Sequence, residues 1–261
     1  MMTTEMQTMR AVRVWLGYAL PELASGTGRE RFYQQLGEVF IPATVQSMAP
    51  QGLQAYVPSV LPSSHHPKVP DEVALVFYPS RKCYQQASHA TVAGRGYGAL
   101  HSTVFSFQAQ QGRPASHSDF PAPFNGQPEQ TGPVQLFDSG GNWQQGEVFS
   151  EVWLRHGQSV AAFRREICDA MTILLARPLK ELLGVFYYQD DNLCVVWSHW
   201  QRHGRVLQTN AIGELIWADS AVSVAVPHSP FAAYPGLSVG PGSSFNLQFS
   251  LSPVTNAGHP S

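Results

Sequence analysis

Hydrophobic and polar positions in the first third of the chain follow two different periods. From Val12 to Tyr18 they alternate with a period of two, and the residues are mostly β-branched or aromatic, which predicts a strand. Between Arg29 and Met48 the apolar residues recur at helical spacing, and Pro42 predicts a kink or a break. Residues 53–61 and 72–78 predict two further strands.

Three shorter patterns complete this first group of elements. A polar helix is predicted around 81–92, a glycine-rich turn at 94–98 and a fourth strand at 102–107. The order β-α-β-β-α-β is a ferredoxin-like arrangement.

After an interval rich in Gly, Pro, Ser and Gln, the pattern begins again. The predicted elements are a strand at 146–156, a helix at 159–176, strands at 179–188 and 193–200 joined by a turn, a polar helical stretch to about 217 and a strand at 221–226. The second half therefore predicts the same order of elements.

Short sequence matches indicate that the two halves are repeats. The tripeptide Val-Trp-Leu at 14–16 recurs at 152–154, and residues 71–77 align without gaps on 191–197, an offset of 120. The predicted fold class is α+β, with two tandem ferredoxin-like repeats. The predicted organisation is a first repeat at 10–108, a Pro/Gly-rich linker at 109–145, a second repeat at 146–227 and a Pro/Gly/Ser-rich tail at 228–261.

Two such units in one chain resemble the dimeric α/β-barrel superfamily, in which two ferredoxin-like units form one barrel. The resemblance covers residues 10–108 and 146–227 and rests on topology and repetition. It implies small cofactor-free monooxygenases, cyclases or stress-response proteins, or, among fused chains, haem enzymes such as the chlorite dismutase-like and aldoxime dehydratase groups. No signature motif of these groups matches here, so the resemblance transfers no functional residue.

Composition narrows the classes of partner. The 261 residues carry a net charge of −2 with only 13% charged residues, and Lys and Arg form no run that could bind a phosphate backbone, so a nucleic-acid partner is not expected. No apolar run reaches the ~20 residues of a membrane-spanning helix, and no signal peptide is seen. Three widely spaced cysteines favour a reducing, cytoplasmic location. Low charge and 43% hydrophobic residues suit either an apolar substrate or a homo-oligomer interface.

The first strand of the second repeat presents candidate catalytic side chains. Because side chains alternate across a strand, Val152 and Leu154 share one face, whereas Glu151, Trp153 and Arg155 share the other. If the aliphatic face covers the helices, the second group points into the barrel.

Other strands are expected to contribute to the same site. Arg13 and Trp15 occupy the equivalent positions of the first repeat, and Trp197 and His199 share a face of the strand at 193–200. Together these side chains predict a binding site for a planar anionic or phenolic molecule, with the tryptophans and Arg13 as substrate-binding residues.

The predicted catalytic residues are His199, Arg155 and Glu151. His199 would carry a proton, and Arg155 would stabilise developing negative charge. The structural alternative is an ion pair between Glu151 and Arg155 on a solvated strand face, with the tryptophans in the core.

Several histidines are also candidate haem or metal ligands. His199 and His203 have i,i+4 spacing, but His199 ends a predicted strand, so a helical metal site is not expected. His101 is a candidate haem ligand or general base, with a surface or capping role as the alternative. If haem is bound, His101 and His203 are the predicted ligands. His65 and His66 lie in a predicted solvated loop.

Three functions follow from these observations. The first is a cofactor-free enzyme, of oxygenase, cyclase or lyase type, acting on an apolar or aromatic small molecule. The second is a haem enzyme of the fused-repeat type. The third is a binding or assembly module without catalytic activity.

Overall fold

The computed structural model describes residues 10–64, 66–177, 179–207 and 212–251. His65 and the last ten residues of the predicted tail lie outside the described residues. Within the described ranges, every helix is too short or too polar to cross a membrane.

The described chain is a mixed α+β structure. Its strands are β1 (Ala11–Gly17), β2 (Ala55–Val60), β3 (Glu72–Tyr78), β4 (His117–Asp119), β5 (Ala122–Pro123), β6 (Gly132–Asp138), β7 (Glu147–Leu154), β8 (Leu182–Gln189), β9 (Leu193–Trp200), β10 (Glu214–Ser220), β11 (Val222–Ala225) and β12 (Phe245–Gln248). Its α-helices are α1 (Gly26–Gln35), α2 (Ile41–Met48), α3 (Arg81–Gln85), α4 (Val92–His101) and α5 (Val160–Ala176), with π-helical turns at Leu36–Phe40 and Gln86–Ala90 and 3-10 turns at Pro21–Leu23 and Ala49–Gln51.

The first sheet is antiparallel, with the strand order β2-β3-β1-β4. The strands predicted at 12–18, 53–61 and 72–78 are confirmed as β1, β2 and β3. The predicted helix between Arg29 and Met48 is also confirmed, and it contains a π-helical turn directly before Pro42. Pro42 has no N–H for the helical ladder, and the Ile41 N–H bonds to Leu36 O five residues back.

The predicted turn at 94–98 is wrong, because these residues lie within α4. The Thr91 side chain caps this helix by accepting the N–H of Gly94 at 2.9 Å. A Cβ on Gly94 would lie 1.9 Å from Ala87 O, so glycine here permits close packing rather than a turn. The strand predicted at 102–107 is also wrong, because β4 fills that edge of the sheet.

The interval 109–145 is more ordered than its linker-like composition indicated. It contains β4, which pairs with β1, and β6, which pairs with β8 at the edge of the second sheet. Neither pairing partner lies within the interval, so local composition carries no signal for these strands.

The second sheet has the strand order β10-β7-β9-β8-β6-β5. The strands predicted at 146–156, 179–188 and 193–200 and the helix at 159–176 are confirmed as β7, β8, β9 and α5. The prediction of a polar helix before 217 is wrong for the residues that the structure describes, because the strand β10 begins at Glu214 and pairs with β7.

The strand predicted at 221–226 has a different partner from the one expected. It forms β11, which pairs in parallel with β12 of the predicted tail instead of joining the second sheet. Phe245 and Leu247 of β12 are buried in the core of the first unit. The described part of the tail is therefore packed on the protein.

The four strands of the first sheet have the same order as four consecutive strands of the second sheet. The order β4-β1-β3-β2 in the first sheet corresponds to β10-β7-β9-β8 in the second. The pairing register also agrees: Trp15 lies opposite Ala74, and Trp153 lies opposite Cys194, the position related to Ala74 by the 120-residue offset.

The aliphatic faces of the two sheets pack against each other. Val14 and Leu75 from the first sheet share one buried cluster with Val152 and Val195 from the second. The opposite faces are covered by helices, by α1, α2 and α4 in the first unit and by α5 in the second. The expected orientation, with the aliphatic face towards the helices, is therefore wrong. Both faces of each sheet are buried, so alternation alone does not say which face meets which layer.

Candidate functional site

A cavity of about 430 Å³ lies between the first sheet and its helices. This volume is within the range of small-molecule binding sites, roughly 300–1,000 Å³. Five of its lining residues are Phe, Trp or Tyr, and seven carry polar side chains. The lining residues are Arg13, Trp15, Thr44, Met48, Val76, Tyr78, Tyr84, Ser88, His89, Gly94, Arg95, Tyr97, Gly98, His101, Phe107 and Ser118.

The floor of the cavity is formed by two adjacent strands. Arg13 and Trp15 on β1 and Val76 and Tyr78 on β3 belong to the cavity wall, and within each strand the two residues are two positions apart. Because side chains alternate across a strand, this spacing puts all four on the helix-facing side. The predicted substrate-binding residues Arg13 and Trp15 therefore lie at one site, but on the opposite side of the sheet from the one expected.

His101, the last residue of α4, lies in the cavity wall. Its Nδ1 bonds to the backbone carbonyl of Tyr97 at 2.8 Å. A carbonyl only accepts hydrogen bonds, so Nδ1 carries the proton of the neutral ring and Nε2 carries the lone pair. Within the described chain, Nε2 has no hydrogen-bond partner. Burial lowers the pKa of His101 below its ordinary value of 6.5, so the ring is neutral at pH 7.

Aromatic rings hold the His101 imidazole in place. The ring centroids of Trp15, Phe40 and Tyr97 lie 5.3, 4.9 and 4.5 Å from it, all in edge-to-face orientation. The Tyr97 hydroxyl in turn bonds to Thr44 on α2 at 2.8 Å. Packing from three elements thus fixes the direction of the free nitrogen.

Arg13 is held at the edge of the floor. Its Nη2 donates to the carbonyl of Ser118 at 2.6 Å and also to the Ser118 hydroxyl. Its guanidinium contacts the rings of Tyr84 and Phe120, which meet edge to face, at 4.9 and 4.6 Å from their centroids. The planar cation is therefore held by aromatic contacts as well as by hydrogen bonds.

Glu72 is a buried carboxyl group adjoining the cavity floor, and it is not among the site residues predicted from the sequence. Its Oε2 accepts the indole N–H of Trp15 at 3.0 Å, and its Oε1 accepts the hydroxyl of Tyr56 at 3.1 Å. Burial raises the pKa of Glu72 to about 8, against the smaller opposing effect of these two hydrogen bonds. The available sequence signal was an acid in phase with Ala74 and Val76 on an otherwise apolar strand.

The predicted catalytic residues of the second unit do not form one site. Glu151 and Trp153 lie on the helix side of the second sheet, where the Trp153 indole donates to Glu151 at 3.2 Å. The Leu207 N–H also donates to Glu151 at 2.6 Å. Burial raises the pKa of this carboxyl group to about 7. His199 shares its strand face with Trp197, and that face meets the first sheet.

His199 and Arg155 make contacts of a structural kind. The His199 Nε2 lies 2.6 Å from the Gln145 carbonyl, and its ring packs on Trp143 with centroids 4.7 Å apart. Arg155 donates to the backbone carbonyls of Asp191 and Gln158 at 2.8 and 2.9 Å. Its guanidinium therefore connects two loops next to the end of β7. The alternative ion pair between Arg155 and Glu151 is not formed among the described residues either.

His203 also lies away from the cavity. It follows β9 in an irregular segment with a φ of +52°, so the i,i+4 pair with His199 has no helical geometry. Among the residues that the structure describes, no group of three His, Cys, Asp or Glu side chains is placed to hold a metal ion. Cys83, Cys168 and Cys194 are free thiols.

The known proteins that this chain resembles are similar in structure only. No family profile matches the chain, and no curated protein matches it in sequence. Similar solved structures include a proposed monooxygenase from Lactobacillus acidophilus NCFM (8% identity, TM-score 0.36, 81% of this chain and 91% of that one), a proposed monooxygenase from Fusobacterium nucleatum (8%, 0.38, 92% and 96%) and chlorite dismutase from Candidatus Nitrospira defluvii (12%, 0.29, 75% and 78%). At these identities and TM-scores the comparison establishes neither a family nor an activity.

Proposed function

We propose that the protein is an enzyme that acts on an apolar or aromatic small molecule in the first-unit cavity without a bound cofactor. The observation that supports this most directly is the neutral His101, whose Nε2 has no hydrogen-bond partner among the described residues, in an aromatic cavity of about 430 Å³. A neutral imidazole in the wall of a cavity large enough for a substrate, with an uncommitted lone pair on Nε2, has the properties of a general base.

Proton removal is the step that these residues can perform. His101 Nε2 would accept a proton from a phenolic O–H or an activated C–H, and the Arg13 guanidinium would stabilise the resulting negative charge. The aromatic wall would exclude water around the reacting group. Oxygenase, cyclase and lyase reactions without a cofactor can each begin with such a carbanion or phenolate.

The test is a turnover screen of phenols and activated aromatic carbonyl compounds with wild-type protein and two variants. His101→Gln removes the base and is expected to lower kcat by about 10²-fold or more. His156→Gln is the matched control, because His156 is an exposed histidine of the second unit. Equal turnover by His101→Gln and wild type, at unchanged Tm, would refute the assignment of His101 as the base.

A haem enzyme is the second candidate, and it is supported by the same imidazole. A haem iron needs one axial protein ligand, and the lone pair of His101 Nε2 fits that role in a cavity that also contains five aromatic side chains. Adding hemin to the purified protein would give a Soret band at roughly 400 nm that His101→Gln abolishes. An unchanged spectrum would exclude this candidate.

We also propose that the two units are diverged, fused copies of one ferredoxin-like unit that form a dimeric α/β-barrel-like arrangement. Support comes from their common strand order and from the equivalent pairing of Trp15 with Ala74 and of Trp153 with Cys194. An experimental structure in which β7 and β9 pair in another register would contradict the proposal.

A further inference from the structure

The segment that covers the cavity carries positive charge without any acid. Between Glu72 and Asp119 the sequence contains no Asp or Glu, although the whole chain has a net charge of −2. The same interval contains four basic residues, and it includes α3, α4 and the π-helical turn between them. The basic residues are Arg81, Lys82, Arg95 and Arg113, of which Arg113 is paired with Asp71 outside the cavity.

The cavity wall itself has the same imbalance. Its lining residues include the cations Arg13 and Arg95 together with His89 and the neutral His101, and no carboxylate is among those that the structure describes. Arg95 lies exposed at the rim, and its hydrogen bonds to the carbonyls of His89 and Ala90 are both long, at 3.3 Å. A cleft lined by one sign of charge attracts ligands of the opposite sign.

Arg13 retains hydrogen-bonding capacity towards a ligand. Both of its hydrogen bonds use Nη2, and both go to Ser118. Nη1 lies 3.8 Å from Asp119, beyond hydrogen-bond distance, and that carboxylate is 71% exposed. The Arg13 Nε has no hydrogen-bond partner among the described residues, but it is buried, so Nη1 is the nitrogen left for a ligand. The ion pair of Arg13 with Asp119 is long and solvent-exposed, so an anion bound closer to this largely buried cation would stabilise it.

We propose that the substrate is an aromatic molecule with a carboxylate group, and that Arg13 binds this carboxylate. The proposal rests on the proposed function, because it concerns the same cavity. A planar guanidinium matches a carboxylate better than a point cation does. Arg13 and Trp15 are two residues apart on one face of β1, or about 7 Å. A carboxylate on Arg13 therefore places an attached ring system over Trp15 and beside His101.

Matched ligands test the charge requirement directly. Binding of 2-naphthoate and of its neutral methyl ester to wild-type protein is measured by isothermal titration calorimetry. We expect 2-naphthoate to bind at least about tenfold more tightly, as one charge-assisted interaction would produce. Arg13→Gln should remove this preference and leave ester binding unchanged, whereas Arg165→Gln, on the exposed face of α5, should keep it.

Each result has a defined meaning. Equal affinity of wild type for acid and ester, or tight 2-naphthoate binding by folded Arg13→Gln, would overturn the carboxylate proposal and leave the proposed enzyme intact. No binding of either ligand would overturn both proposals. The wild-type comparison needs no variant, so it decides the question even if Arg13→Gln does not fold.

Discussion

The indole of Trp15 donates a hydrogen bond of 3.0 Å to Glu72, and a tryptophan of the second sheet, Trp153, also donates to a buried carboxyl group. Trp153 donates to Glu151, an acid on its own strand, whereas Glu72 lies on the neighbouring strand β3. Each unit thus buries one carboxyl group against an indole on its helix-facing side, although the acids occupy different positions in the fold.

Replacing Glu72 by Gln should reduce the dependence of stability on pH. The folded protein holds the Glu72 proton up to about pH 8, whereas the unfolded chain loses it near the ordinary value of 4.5. The folded state therefore binds more protons between these values, and the free energy of unfolding falls as pH rises, by up to about 1.4 kcal/mol per pH unit. Urea titrations from pH 5 to 8 should show a shallower slope for Glu72→Gln.

The exposed Glu30 provides the control for this measurement. Glu30→Gln should retain the wild-type slope of stability against pH. Burial also raises the pKa of Glu151 to about 7, and its contribution to this slope remains in both variants. Identical slopes for Glu72→Gln and wild type would show that Glu72 is ionised in the folded protein.

His101 should titrate at a pH below 6.5. Its pKa is lowered because burial disfavours the imidazolium, despite the opposing hydrogen bond to Tyr97. The neutral base then predominates at pH 7 and is lost as the solution becomes more acidic. An NMR titration of histidine Cε1 protons, assigned with His101→Gln, measures the midpoint. A midpoint above 6.5 would contradict the neutral-base assignment.

Asp71 should be among the most sensitive positions for stability. It is buried and accepts hydrogen bonds from Arg29 and Arg113, both at 2.5 Å, and from the Ala19 N–H at 2.6 Å. Asp71→Asn would leave two cations unpaired, and we expect a loss of about 3–5 kcal/mol in urea unfolding. Asp169→Asn, at an exposed position on α5, should change stability by no more than about 0.5 kcal/mol. Similar values for the two variants would refute this role.

Two glycines in helical segments should respond to alanine in opposite ways. A Cβ on Gly37 would lie 2.1 Å from Leu237 O, so Gly37→Ala must displace the C-terminal segment, at a cost of about 1–3 kcal/mol. Gly96 lies in α4 with no atom within 4 Å of its added Cβ, so Gly96→Ala should stabilise the protein by about 0.5–1 kcal/mol. The Tm of each variant measures these effects. A lower Tm for Gly96→Ala with an unchanged Tm for Gly37→Ala would contradict the packing described for the two glycines.

Only part of the candidate site could be predicted from the sequence. Arg13, Trp15 and His101 were selected for their chemical types, and the structure brings them to one cavity. His199 was chosen on the same grounds but lies between the sheets, because its environment depends on which layer its strand face meets. Glu72 was missed because its burial against Trp15 is a contact between strands 57 positions apart.

The sequence by itself determined the local elements with strong periodicity. Strands such as β1, β3 and β9 and the helix α5 follow from apolar spacing, because that spacing reflects burial of one side of each element. Tertiary structure decided the pairing of β4 and β12 and the helical state of residues 94–98. It also decided which buried sheet face meets helices and which meets the other sheet. Those outcomes depend on contacts between distant segments, which no local pattern encodes.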